Sequence, residues 1–246
     1  MQPPQTYTIR VSARARHVRL CLSLRDGLVV VVPRGFDQHL LPGLLEQKRR
    51  WLERAWTRLQ AGHGQRAPAT PAQLPVMLNL QAAGEEWTVE YHATNSPRVT
   101  VRESAAHGLR LAGHTSDRHA CIAALRCWLN RKAHQHLEPL LAQLAREGGF
   151  RYNRVFIKAQ RTRWGSCSTR GNISLSLKLL FLPPELVRYV LWHELCHTVE
   201  KNHGRRFWAL LQHHDPECQF RRKQMRTAGR MVPVWLDERK RSRARR

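Results

Sequence analysis

Acidic residues are scarce in this chain. Eighteen Asp and Glu, only five of them Asp, face 42 Lys and Arg in 246 residues, a formal net charge of +24. So few carboxylates argue against the carboxylate-rich Mg²⁺ sites that commonly serve phosphate hydrolysis. Paired cysteines are missing as well. Cys21, Cys121, Cys127, Cys167, Cys196 and Cys218 form no Cys-x-x-Cys, which excludes zinc-ribbon and thioredoxin-type motifs and predicts reduced, mostly buried thiols. No apolar run approaches the roughly 18 residues of a membrane span. Behind Met1-Gln2-Pro3-Pro4 there is no apolar segment, so the expectation is no secretory signal and a cytoplasmic location. No internal repeat is present.

What is abundant is arginine: 35 of the 42 basic residues. Charge of this size draws a protein towards polyanions, nucleic acid above all, in a salt-dependent manner. If it acts as one surface, Arg151, Arg154, Lys158, Arg161, Arg163 and the tail 239–246 would share a face. Otherwise it is compositional and spread over a solvated exterior. Hydrophobic residues make up 42% of the chain and charged residues 24%, the composition of a folded globular protein rather than a disordered one.

Residues 7–32 alternate like strands, with Asp26-Gly27 as a turn. Asp37 is placed to cap a helix over 37–60. The Gly- and Pro-bearing stretch 62–75 reads as a linker, and short β-like runs follow to residue 111. A helix is expected over 117–147, closed by Gly148-Gly149. Beyond it, 154–158 and 172–181 read as strands around a polar loop, and Pro183-Pro184 opens a helix. Further helices are expected over 205–213 and after Pro216. The expected fold is α+β: a small unit with a short sheet and the helix opened by Pro183-Pro184, preceded by a β-rich region with one long helix. The expected divisions are 1–113, 114–230 and a basic tail, 231–246.

The chemistry concentrates in Val190-Leu191-Trp192-His193-Glu194-Leu195-Cys196-His197, which contains H-E-x-x-H. Two histidines four apart share one helix face and can offer two imidazole nitrogens to one zinc ion. Glu194 lies about 100° around the helix from His193. It flanks the metal and can take a proton from a water activated there. The competing reading is two buried histidines without a metal. A third ligand is needed, and His203 follows His197 by six residues. That offset is shared with H-E-x-x-H-x-x-G-x-x-H, but Glu200 stands where the glycine would be, so the bend is expected near Asn202-His203-Gly204. Glu217 is the rival third ligand. Arg163 or Ser166 can stabilise an oxyanion beside the metal, or belong to a purely structural turn. Segment 172–181 can offer a sheet edge to an extended peptide. Trp192, Cys196, Phe207 and Trp208 read as packing residues.

Arg163-Trp164-Gly165-Ser166-Cys167, Gly171-Asn172-Ile173-Ser174, Pro183-Pro184, the H-E-x-x-H segment and Asn202-His203-Gly204-Arg205-Arg206-Phe207-Trp208 together resemble the YgjP-like metallopeptidase family, related to the SprT-like zincins. The resemblance is strong over 154–226 and looser towards the N-terminus. Two departures, Gly204 for a usual Ser and His213-His214-Asp215 for a segment often ending Pro-Asp, leave the expected ligands untouched. The resemblance implies a Zn²⁺-dependent hydrolase acting on a peptide or protein. Because some relatives are described as UTP pyrophosphatases, a nucleotide substrate stays open. So does a nucleic-acid-associated protein with a structural zinc, although a site with an open coordination position argues against it.

Overall fold

The computed structural model describes residues 6–13, 15–23, 27–63, 73–104, 107–160 and 162–237. The turn expected at Asp26, most of the 62–75 linker, Arg161 and the tail 239–246 lie outside them. The chain divides into two compact units, Met1–Ala72 and Gln73–Arg246.

In the first unit, β1 (Tyr7–Ser12), β2 (Arg19–Ser23) and β3 (Gly27–Pro33) form one sheet in the order β1-β3-β2. β1 runs parallel to β3 and β2 antiparallel to it. Leu28, Val30 and Val32 of β3 are buried with Leu41 and Leu52, as the two-residue side-chain period of a central strand requires. The helix expected over 37–60 is two helices, α1 (Leu41–Gln47) and α2 (Arg49–His63). Asp37 does cap, accepting from the backbone N–H of His39, but the turn it opens is a short 3₁₀ segment. The Lys48 N–H is shared between the carbonyls of Leu44 and Leu45, and there the α-helical path breaks.

The second unit begins with β4 (Met77–Leu80), β5 (Glu85–Ala93), β6 (Thr100–Ser104) and β7 (Gly108–Gly113), in the order β4-β5-β7-β6. These strands share a core with the elements that follow them, so the boundary between the compact units falls after Ala72, where a division at 113 was expected. The reason is α3 (Arg118–Glu147), capped by the Asp117 carboxylate on the N–H groups of His119 and Ala120. Leu125, Leu129, Ala133, Leu137 and Leu141 are fully buried along it, one residue per turn on one face. Trp128 meets Trp87 of β5 edge-on, with ring centroids 5.1 Å apart, and donates from Nε1 to Glu103. One core thus holds the four-stranded sheet, α3 and the elements that follow.

Those elements are β8 (Val155–Lys158), β9 (Gly165–Cys167) and β10 (Ile173–Ser176), then α4 (Pro184–Val199), α5 (Arg205–His214) and α6 (Cys218–Gln224). The strand expected over 172–181 stops at Ser176. Its hydroxyl accepts from the Lys178 N–H and starts a 3₁₀ turn, Leu177–Phe181, with every residue buried. The sheet order is β8-β10-β9. β10 is therefore central and cannot offer a free edge. The edges are β8 and β9; β9 lies within what reads in sequence as a loop and packs against α4. The segment expected as a tail from 231 is docked as far as Asp237. Trp235 and Leu236 are buried, Arg126 donates to the Leu236 carbonyl, and Lys178 pairs with Asp237.

Candidate metal centre

α4 is apolar over most of its surface, because it packs against α3, α5, α6 and β9. The face towards β9 carries the polar residues. His193 and His197 stand one turn apart there. The helix ends at Val199, and Glu200 is already extended, with φ −107° and ψ 106°. The bend thus begins at Glu200, before the Asn202–Gly204 turn expected from the sequence, and α5 starts at Arg205 after Gly204. This returns His203 over α4. Trp208 Nε1 donates to the His203 carbonyl at 3.0 Å and pins the loop.

The three imidazoles converge. His203 Nε2 lies 3.1 Å from Nε2 of both His193 and His197. Nitrogens bound at 2.0–2.1 Å in a tetrahedral site stand roughly 3.3 Å apart, so the spacing matches a set arranged around one ion. Among the described residues this is the one group of three or more metal-binding side chains. Phe207, fully buried, forms its floor, with ring centroids 4.9, 4.5 and 4.7 Å from those of His193, His197 and His203.

Protonation also suits a metal. His197 Nδ1 lies 2.9 Å from the Glu200 carbonyl oxygen. A carbonyl can only accept, so Nδ1 carries the proton and Nε2 keeps its lone pair. Burial, reinforced by the neighbouring His197 and His203, pushes His193 down to about 3 in the metal-free chain. Burial lowers His197 too. Neutral imidazoles are what a metal takes.

Glu194 is 5% exposed and points between α4 and β9. Burial raises its carboxyl to about 8 in the metal-free chain, against the pull of the Arg163 charge. Its Oε2 is buried and has no hydrogen-bond partner among the described residues. Gly165 makes the room. A Cβ there would stand 2.6 Å from Oε1 of Glu194. Nothing local in Arg163-Trp164-Gly165-Ser166-Cys167 signals this role, because Glu194 lies far along the chain.

Arg163, Ser166, Glu194 and the three histidines all line one open cleft of about 370 Å³, with Cys167, Thr169 and Lys201. Glu217 is elsewhere: it starts α6, and its carboxylate accepts from Arg221 at 2.7 Å. Cys196 is fully buried and burial pushes its thiol up to about 12, so it belongs to the packing. Trp192 is buried and stacks on His214, centroids 4.7 Å apart. Of the basic residues expected to share a face, Arg151, Arg154, Lys158 and Arg163 are exposed.

The chain matches the family described as YgjP-like, metallopeptidase domain, over residues 16–228. It belongs to the YgjP-like metallopeptidases. No curated relative matches it. Among solved structures it is similar to the metallopeptidase zymogen abylysin of Pyrococcus abyssi, at 25% identity over 40% of this chain and 99% of that one, TM-score 0.36. The jannalysin zymogen of Methanocaldococcus jannaschii is 21% identical over 36% of this chain and 92% of that one, TM-score 0.33. In this YgjP-like chain the family match spans all three histidines and Glu194. None of the helices described is long and apolar enough to cross a membrane.

Proposed function

We propose that this protein is a zinc-dependent metallopeptidase in which His193, His197 and His203 hold the metal and Glu194 is the general base. The observation that carries the reading is the convergence of three imidazoles beside a buried carboxylate in one solvent-open cleft. Three protein ligands leave a position for water or substrate, whereas structural zinc takes four. When bound, the ion would supply Lewis acidity, making water easier to deprotonate and a scissile carbonyl easier to attack.

The chain's own residues do the rest. Glu194 takes a proton from the attacking water and passes it to the leaving nitrogen, so the carboxylate is regenerated each turnover. Its desolvated pocket favours receiving that proton. Arg163 and Ser166 border the same cleft, where donors can meet the oxyanion as it develops. Strand β9 orients the substrate. Trp164 and Ser168 are both bonded across to the β10 side, at Ser176 and Asn172. By antiparallel alternation Gly165 and Cys167 turn their N–H and C=O groups to the free edge. An extended peptide can pair there as an added strand. Among the described residues Glu194 is the single carboxylate lining the cleft, enough for one activated water and too few for a carboxylate-rich phosphohydrolase site.

The test is a parallel assay of zinc-loaded and metal-stripped protein on a peptide library and on nucleoside triphosphates. Zinc-dependent peptide cleavage is expected. Pyrophosphate release without peptide cleavage would replace this reading with the nucleotide one.

A further inference from the structure

A second cavity, of about 270 Å³, adjoins the metal cleft, and Arg163 lines both. Its wall continues the same stretch of chain: 162–164 face the second cavity and 165–167 face the cleft. Three residues of chain separate the two stretches, with bends at Thr162 and Trp164, so the cavity lies at most about 10 Å from the cleft. A peptide paired with β9 would bring a side chain two or three residues from the scissile bond into this cavity. At 270 Å³ it falls below the roughly 300–1,000 Å³ of ligand pockets and suits one side chain.

Its charge is one-sided. Arg163, Lys178 and Arg226 line it, with Asp237 as the one acid. Lys178 Nζ lies 2.7 and 2.9 Å from the two carboxylate oxygens of Asp237, so these charges offset each other. Arg163 and Arg226 are exposed, and neither forms an ion pair with an acid among the described residues. Guanidinium groups bind carboxylates through paired, planar donors. Trp164 and Met225, both half-buried, give apolar wall for the methylenes behind such a group.

We propose that the cavity between Arg163 and Arg226 is a specificity subsite for a substrate carboxylate, so that this protein prefers acidic peptides. The proposal rests on the metallopeptidase reading of the cleft. The carboxylate is either a Glu or Asp side chain or the free C-terminus of a short peptide.

The experiment uses the full chain and capped peptides that differ only by Glu, Gln or Lys two or three residues from the cleaved bond. A further arm carries Gln there and a free C-terminus in place of the amide. Arg226 is the position to vary, since it lines this cavity and not the metal cleft. The kcat/KM ratio of Glu to Gln peptide should be roughly fivefold or more. It should fall towards one in Arg226→Gln, return in Arg226→Lys, and turn in favour of Lys peptide in Arg226→Glu. Calorimetric binding of the same peptides to the Glu194→Gln protein gives a second readout without turnover. Equal rates and equal binding for Glu and Gln peptides, with a free C-terminus adding nothing, would overturn the subsite while leaving the peptidase reading standing. Arg226-dependent binding of acidic peptides with no cleavage by the parent protein would do the reverse.

Discussion

Gly165 and Glu194 are in such close contact that a methyl group on Gly165 would lie 2.6 Å from the Glu194 carboxylate oxygen. No special backbone angle is involved. The glycine lets strand β9 and helix α4 approach until the carboxylate is held between them. Gly165→Ala is expected to displace that carboxylate while the three histidines stay in place. The predicted result is zinc content equal to the parent and kcat lower by roughly tenfold to a hundredfold, the usual cost of a misplaced catalytic group. Metal analysis and steady-state kinetics on one preparation check it. Unchanged kcat would show that Glu194 tolerates the shift.

The third ligand is tested by metal content alone. His203→Ala should bring bound zinc well below one per chain, as should His193→Ala and His197→Ala. Glu217→Ala should retain it, because that carboxylate is paired with Arg221 at 2.7 Å. Zinc loss in Glu217→Ala with retention in His203→Ala would reverse the assignment.

The convergence of His193, His197 and His203 was legible in the sequence for a simple reason: a four-residue offset on a helix fixes a shared face, and a histidine just beyond the helix can fold back. The position of the bend was not. Glu200 lacks the glycine signature of a helix stop, yet the chain turns there and its carbonyl accepts a hydrogen bond from His197 Nδ1. Nor was the strand end at Ser176 visible inside an unbroken apolar run, because burial looks alike in a strand and in a 3₁₀ turn. Its one sign was the serine, which caps that turn. The β-like runs over 76–111 were recognised, but their membership in the catalytic unit depends on packing against α3, which local pattern does not encode.

Asp215, 2% exposed, sits behind the metal helix with Arg221 as its ion-pair partner. Arg221→Ala would leave a buried carboxylate uncompensated, at a cost of about 3–5 kcal/mol. For a chain of this size that lowers the melting temperature by roughly 6–20 °C. Asp215→Asn with Arg221→Ala should recover part of the loss. A single-variant melting temperature within two degrees of the parent would contradict this.

Ionisation of Glu194 opposes folding of the metal-free chain. Its folded pKa is raised from 4.5 to about 8 by burial, so its contribution is fully present below pH 4.5 and is lost as pH rises towards 8. Gln cannot ionise. Metal-free Glu194→Gln should therefore gain stability over the parent progressively between pH 4.5 and 8, by a few kcal/mol at most. His193, lowered to about 3, destabilises both proteins alike as pH falls below 6.5 and cancels in the comparison. Thermal melts at three pH values check it. A gap that does not change with pH would contradict the shift.

The most direct test of the central claim pairs zinc content with turnover in Glu194→Gln on a peptide the parent cleaves. The account predicts about one zinc per chain in both proteins and a loss of turnover of at least a hundredfold in the variant, the scale of general-base catalysis. Zinc bound with turnover intact, or zinc lost with turnover restored by added metal, would contradict it.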